Sequence, residues 1–506
     1  MTALAMVLPA DAGVRVSEVV RELAPVGARL RGDAAVRVTG VRQDSRQIEP
    51  GELFCARVGK AQSGADFVAE AVRRGAAALL VEAGMALPPV SLPVIEVSDA
   101  RRGLALAAEL VYGHPSRSLA LVGITGTNGK TTTTLLVDHA LRTLGFQPAR
   151  LGTLGFAFGD ETDAGSLTTP EADAVSRALR SVVERGGTHF TMEVSSHALS
   201  LARVDGLRFR VAAFSNLSQD HLDFYGSMSE YGAAKARLFD ALTPECAVIN
   251  LDDAFGRVLA GHPHARLVTT GRAADASVRV VEATLDARGI TARIATPAGE
   301  VALRSSLLGE HNLENLLLAL GILHALGLDV RDSAAALGSA PPVPGRLERC
   351  DEDGDDIRVL VDYAHTPDAL ERVLAALERV TPGAVSCVFG CGGDRDPDKR
   401  PKMGAAVGRG AARAILTSDN PRSEDPAAIA AAVEVGLRAG GIPYEVELDR
   451  ARAIERAVLA AAPGDSVLLA GKGHETYQLI GRETRAFDDR VEARRALALR
   501  RAGERR

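Results

Sequence analysis

Short, unbroken apolar runs alternate with longer mixed stretches along most of this chain. The runs at 119–125, 190–194, 211–214, 247–251, 359–361, 385–389, 414–417 and 466–470 are hydrophobic almost throughout. A strand with one wet face would alternate apolar and polar positions. Continuous runs therefore predict strands buried on both faces, as in parallel sheets. Between them, stretches such as 131–144 and 367–380 carry Ala and Leu at helical spacing and predict crossover helices. Alternating strands and helices predict an α/β protein.

Two proline seams divide the pattern. His114-Pro115-Ser116 precedes the first strong β run, and Pro341-Pro342-Val343-Pro344-Gly345 follows the helical stretch 312–327. Proline does not continue a helix and suits a linker. The expected domains are 1–115, 116–343 and 344–506.

Composition narrows the function classes. With 46% hydrophobic and 25% charged residues the chain can build an ordinary core, so disordered and fibrous classes are excluded. Lys plus Arg number 59 against 65 Asp plus Glu, a net charge of −6, which disfavours a duplex-coating protein. The 4% aromatic content with no Trp disfavours a base-stacking single-strand binder. Five scattered cysteines do not make a disulfide framework and fit the reducing cytoplasm. Cys387 and Cys391 lack a second Cys/His pair and read as packed strand residues rather than zinc ligands. No apolar run is long enough to span a membrane. The apolar start at 1–11 lacks a basic n-region, so no secretory signal is expected. The Arg-rich stretch 494–506 reads as a solvated helix end.

The sharpest local chemistry is Gly123-Ile124-Thr125-Gly126-Thr127-Asn128-Gly129-Lys130-Thr131-Thr132, with a buried run before it and a helical pattern after it. That is the setting of a phosphate-binding loop. Glycines let successive N–H groups face phosphate oxygens, and the helix N-terminus adds roughly half a positive charge. Lys130 is suited to bridge the β- and γ-phosphates, and the Thr131 hydroxyl to reach Mg²⁺. The spacing departs from G-x-x-x-x-G-K-[ST]: position 124, where the first glycine belongs, is Ile, flanked by Gly123 and Gly126.

Polar clusters follow the next strands. Glu193 closes one run, Asp220-His221 follows another, and Lys235 lies on a helical stretch after that. Ligands of open α/β sheets gather beyond the carboxyl ends of strands, where Glu193 and His221 fall. A triphosphate beside a carboxylate substrate brings like charges together, at about 4 kcal/mol per pair at 4 Å and an effective dielectric of 20. Mg²⁺ relieves much of this, and Thr131, Glu193 and His221 are its candidate ligands. From the residues alone Lys235 reads as a surface lysine.

The loop Gly126-Thr127-Asn128-Gly129-Lys130-Thr131 resembles that of the Mur ligases and their relatives, the folylpolyglutamate synthases. The resemblance runs from about residue 36 to 475. It implies an ATP-dependent acid–amine ligase with a small α/β UDP-binding domain, a central P-loop-type ATP-binding domain and a Rossmann-like domain for the incoming amino acid. Lys235 matches a lysine that the family carries as a carbamate (N6-carboxylysine), which makes it a fourth metal-binding candidate. The resemblance assigns Ser45 to the UDP-holding domain, and Thr168, Thr169, Ser195 and Arg203 to the muramyl-dipeptide substrate. It assigns Thr132 with the loop, His311, Asn312 and Asn315, and Arg346 and Asp362 from the third domain, to ATP. Domain closure would then assemble the site.

Asp419-Asn420-Pro421-Arg422 is similar to the signature of members that add meso-diaminopimelate; lysine-adding relatives usually lack this arginine. Arg422 offers a planar fork for the extra carboxylate. Asp419 and Glu475 suit an ammonium, and Arg395 suits the other carboxylate, with Asn420, Pro421 and Gly471 completing the expected pocket. The activity implied is ligation of meso-2,6-diaminopimelate to the D-glutamyl carboxylate of UDP-N-acetylmuramoyl-L-alanyl-D-glutamate, through an acyl phosphate, in peptidoglycan precursor synthesis. A cytoplasmic monomer using ATP and Mg²⁺ on small molecules is expected, with no nucleic-acid or membrane partner. The alternatives are a lysine-adding member or a folylpolyglutamate synthase-like ligase. The 419–422 motif and the separate N-terminal domain speak against both. A regulator without turnover is disfavoured by intact Glu193, His221 and Lys235.

Overall fold

The computed structural model describes residues 13–59, 62–165 and 167–504; the stretch 1–11 read for a secretory signal lies outside them. Three large sheets and two two-stranded ribbons organise the described residues. The N-terminal sheet has five strands in the order Arg29–Arg31, Val94–Val97, Ala78–Glu82, Leu53–Ala56, Val41–Arg42, parallel except for the first. The third sheet has six: Glu348–Arg349, Arg358–Asp362, Ser466–Ala470, Val385–Phe389, Arg413–Leu416 and Tyr444–Val446, again parallel except at the first.

Between them lies an eleven-stranded sheet. Its centre runs Pro148–Gly152, His189–Glu193, Ala120–Thr125, Val211–Phe214, Cys246–Asn250, Leu267–Gly271, all parallel. The chain leaves Ala120–Thr125 to one side and later returns to its other side. A crevice therefore opens at the carboxyl ends there, where ligands of such sheets bind. The unbroken apolar runs are these strands: His189–Glu193, Val211–Phe214 and Cys246–Asn250 are buried at every residue. Both ends of the sheet turn antiparallel, a departure from the expected parallel arrangement. The reason is solvent: Gly289–Thr296 and Gly299–Ser305 alternate buried and exposed positions, which an antiparallel pair with one wet face tolerates.

The helix Glu310–Ala325 is apolar nearly all round and crosses the core of this domain, as such a helix must. Helix Pro367–Glu378 starts where the sequence marks it: Thr366 Oγ1 accepts from Ala369 N, and Pro367 takes the first turn. The C-terminal helix Asp489–Glu504 is fastened rather than simply solvated. Asp489 forms a fully buried ion pair with Arg450, whose Nη2 also donates to Ala470 O at 2.9 Å. Arg495 pairs with Glu455 at 2.9 Å and Arg501 with Asp355 at 2.6 Å.

All five cysteines are unpaired and buried. Burial pushes the Cys387 and Cys391 thiols up to about 12; Cys387 is a packed strand residue as expected, whereas Cys391 lies in the loop just past Val385–Phe389, its Sγ packed 3.3 Å from Met403 Sδ. No described helix is long and apolar enough to cross a membrane.

Candidate functional site

A cleft of about 590 Å³ lies between the central and third domains. On its central wall, strand Ala120–Thr125 runs into the loop 126–129 and helix Lys130–Thr143. Gly126 and Gly129 hold φ of 146° and 87°, where a side chain is strained, and a Cβ would collide with Ser215 Oγ and Asn315 Oδ1 respectively. Asn216 splints the loop: its carbonyl accepts from Thr127 N at 2.8 Å and its Oδ1 from Asn128 N at 2.9 Å. Lys130 Nζ curls onto the carbonyls of Gly126 and Thr127, both at 2.9 Å. Burial lowers its pKa, opposed by the Glu193 charge.

Thr131 Oγ1 donates to Glu193 Oε2 at 3.1 Å, and Thr153 anchors the same carboxylate through its N–H at 2.8 Å and its hydroxyl at 3.1 Å. A hydroxyl and a carboxylate side by side are the hard oxygen donors Mg²⁺ takes, with water and phosphate completing its shell. These residues therefore fit the ion. Among the described residues no group of three or more His, Cys, Asp or Glu is placed to hold a metal ion.

His221 follows Asp220 in the left-handed conformation, φ 56°. Burial pushes its imidazole down to about 4, so it is neutral near pH 7 with a free lone pair. Burial alone would raise the Asp220 carboxyl, but His221, His365 and Lys399 together hold it at about 2. His365 and Lys399 reach it from the third domain, at 3.9 and 4.0 Å. Lys235 is only 1% exposed, which corrects the surface reading. Its Nζ donates to Gly126 O at 2.8 Å and lies 4.3 Å from the Tyr231 ring centre. Burial, reinforced by nearby Lys130, drives its pKa well below the usual lysine range.

The third domain supplies the opposite wall. Arg346 Nη2 reaches Thr131 Oγ1 at 3.4 Å, and its guanidinium lies 4.5 Å from the Tyr363 ring centre. The Asp362 carboxylate accepts from Leu347 N and Ala364 N, both at 2.7 Å, and so shapes the Arg346 loop. Polar contacts join the two walls: Asn128 Nδ2 to Asp368 at 3.1 Å, Lys402 Nζ to Gln219 at 2.6 Å, and Arg372 to Glu314 at 2.9 Å. Beside the loop, His311 has its imidazole pushed down to about 4 by burial, and its buried Nδ1 lacks a partner.

Arg422 sits at the far end of the cleft, at φ 53°. Leu479 O accepts from its N–H at 3.0 Å and its own carbonyl accepts from Gly481 N at 2.7 Å, so the hairpin Tyr477–Ile480/Glu483–Ala486 clamps its backbone. Nη1 donates to Gly393 O at 2.7 Å. Among the described residues no carboxylate lies within ion-pair distance of the guanidinium, which lines the cleft; its charge is felt by the Asp394 carboxylate beside it. Asp419, Arg395, Gly471 and Glu475 line the same end. Asn420 also lines it, but its Nδ2 donates to Glu475 Oε2 at 2.9 Å and its Oδ1 accepts from Leu479 N at 2.9 Å.

The residues singled out from sequence line this cleft except Gly126, Pro421 and Ser45. Gly126 and Pro421 are in the flanking loops. Ser45 is buried in the N-terminal domain, donating to Glu70 Oε2 at 2.6 Å. Thr168 lies on the cleft wall, and Thr169 Oγ1 ties Ser195 N at 3.0 Å to Glu193 O at 2.8 Å. Arg203 donates to Thr169 O at 2.9 Å and pairs with Glu171 at 2.7 Å. Sequence reasoning missed Asp220, His365 and Lys399 as site residues, although each sits in or beside a motif it used. It had no signal for Thr153.

Three family models match the chain: the Mur ligase family catalytic domain at 37–112, the Mur ligase middle domain at 124–323, and the Mur ligase glutamate ligase domain at 345–473. UDP-N-acetylmuramoyl-L-alanyl-D-glutamate–2,6-diaminopimelate ligase of Streptomyces coelicolor is 45% identical over 476 residues, covering 92% of this chain and 93% of the relative. The enzyme of the same name from Geobacillus kaustophilus is 42% identical over 467 residues, covering 91% and 95%. A solved structure bearing that name superposes with a TM-score of 0.69 at 33% identity, covering 97% of this chain and 99% of that one.

Proposed function

The chain belongs to the Mur ligase family, and from that premise we propose that it uses ATP to join meso-2,6-diaminopimelate to the D-glutamyl carboxylate of UDP-N-acetylmuramoyl-L-alanyl-D-glutamate. The domain at 1–115 holds the UDP end, 116–343 holds ATP, and 344–506 holds the amino acid. The observation that carries the reading is the Arg422 guanidinium, which lines the cleft with no carboxylate in ion-pair contact, while a phosphate loop lines the same cleft.

ATP lies with its phosphates on the loop 126–132 and its adenine beside His311, Asn312 and Asn315. Lys130 leaves its carbonyl partners for phosphate oxygens, an exchange of neutral acceptors for charged ones that strengthens each bond. Arg346 adds a second cation from the third domain. The substrate carboxylate attacks the γ-phosphorus, ADP departs, and an acyl phosphate remains. The amine then attacks the carbonyl and phosphate leaves. Preorganised cations aimed at developing charge are the main lever on both steps.

Thr131, Glu193 and His221 would hold Mg²⁺, with Lys235 contributing if carbamylated; the ion supplies charge neutralisation between the phosphates and the carboxylate. The depressed pKa of Lys235 favours that modification, because only a neutral amine adds to CO₂. Thr168, Thr169, Ser195 and Arg203 border the dipeptide end, and Ser45 the UDP end. The five unpaired cysteines suit a reducing cytoplasm.

The test is ADP release with ATP, Mg²⁺, the nucleotide dipeptide and either diaminopimelate or lysine. Turnover with diaminopimelate, and kcat/KM for lysine lower by about 10³, is expected, because lysine leaves Arg422 unpaired. Equal kcat/KM for the two amines would defeat the choice of amine. No ADP with every reactant present would defeat the ligase reading.

A further inference from the structure

Beneath the amine end of the cleft lies an ammonium that the mechanism above does not use. Lys472 follows strand Ser466–Ala470 and is 0% exposed, while its partner Glu475 reaches the cleft. Its Nζ donates to Glu475 Oε2 at 2.9 Å and to Asn420 Oδ1 at 3.3 Å, and lies 5.5 Å from the Tyr477 ring centre. Oε2 also accepts from Asn420 Nδ2 at 2.9 Å, so both donors converge on one oxygen of the carboxylate. Oε1 has no partner among the described residues.

From this geometry we infer that Lys472 is a positioning residue for the amine substrate, fixing the Glu475 carboxylate so that its second oxygen meets the incoming ammonium. A free glutamate samples many rotamers, and ordering it on binding weakens affinity. Two donors on one oxygen perform that ordering in advance. The inference rests on the reading of this end as the amine site.

The experiment is steady-state kinetics on the full-length enzyme. Lys472→Met is expected to raise KM for diaminopimelate about 30-fold, the size of one charge-assisted hydrogen bond, with kcat changed less than threefold and KM for ATP unchanged. In a Glu475→Gln background the same substitution should change KM for the amine less than threefold, since Lys472 acts through that carboxylate. Lys472→Gln keeps an N–H donor in a smaller volume and should raise KM about tenfold; it serves if the Met variant melts early. An unchanged amine KM, an ATP KM that rises in parallel, or single effects that multiply in the double variant would overturn the inference. Wild-type turnover with lysine and not diaminopimelate would instead sink the amine assignment, and the same KM ratios, measured for lysine, would judge Lys472.

Discussion

Replacing Arg422 by alanine isolates the group proposed to choose the amine. The backbone there is left-handed at φ 53° and clamped by Leu479 and Gly481, and alanine meets the same strain there as arginine. The change is thus confined to the side chain. One guanidinium N–H is engaged by Gly393 O, which leaves a fork free for a carboxylate. Losing a charge-assisted fork costs about 3 kcal/mol, roughly 10²-fold in kcat/KM for diaminopimelate. For lysine the substitution removes a guanidinium that had no anion, so its kcat/KM should hold or rise. The ratio between the two amines should therefore fall at least 10²-fold. The assay is coupled ADP release for both amines at saturating ATP and nucleotide dipeptide, with wild-type KM for ATP as the control. A ratio that moves less than fivefold would mean that Arg422 does not hold the distal carboxylate.

Two further outcomes follow from buried groups. Lys235→Ala should abolish turnover, and Lys235→Arg should not recover it with added bicarbonate, because a guanidinium does not form the carbamate; full activity of Lys235→Ala would refute the role. His189 is held down to about 4 by burial, with Arg210 adding to it, whereas in the unfolded chain it titrates near 6.5. The unfolded state then takes up its proton first as pH falls. The associated stability is intact above about 6.5, is lost between there and 4, and changes no further below. Urea unfolding at pH 5 and 7.5 should show a smaller difference for His189→Gln than for wild type; an identical difference would exclude His189 from the acid response.

The strands that frame the cleft could be read because both their faces are dry. Val211–Phe214, Val385–Phe389 and Ser466–Ala470 have the bounds their apolar runs indicate. Gly289–Thr296 escaped that reading because its Thr and Arg residues alternate with the buried ones, and two-residue strands such as Val41–Arg42 carry too little pattern to detect. The site was legible wherever chemistry clustered after a strand, as at Glu193 and 419–422. It was not legible where a role depends on contact across domains. Asp220 is held down by its neighbour His221 and also by His365 and Lys399, well over a hundred positions away, and Thr153 is an ordinary hydroxyl until the fold sets it against Glu193.

The sealed pairing of Arg450 with Asp489 has a practical bearing on anyone shortening the chain. The same guanidinium grips the carbonyl of Ala470, the last residue before the glycine-lysine turn that leads to the cleft. Cutting the tail ahead of 489 would strand a cation in the interior and loosen that turn from a distance of many residues. Truncation ahead of 489 should therefore lower stability, as a fall in the urea midpoint would show.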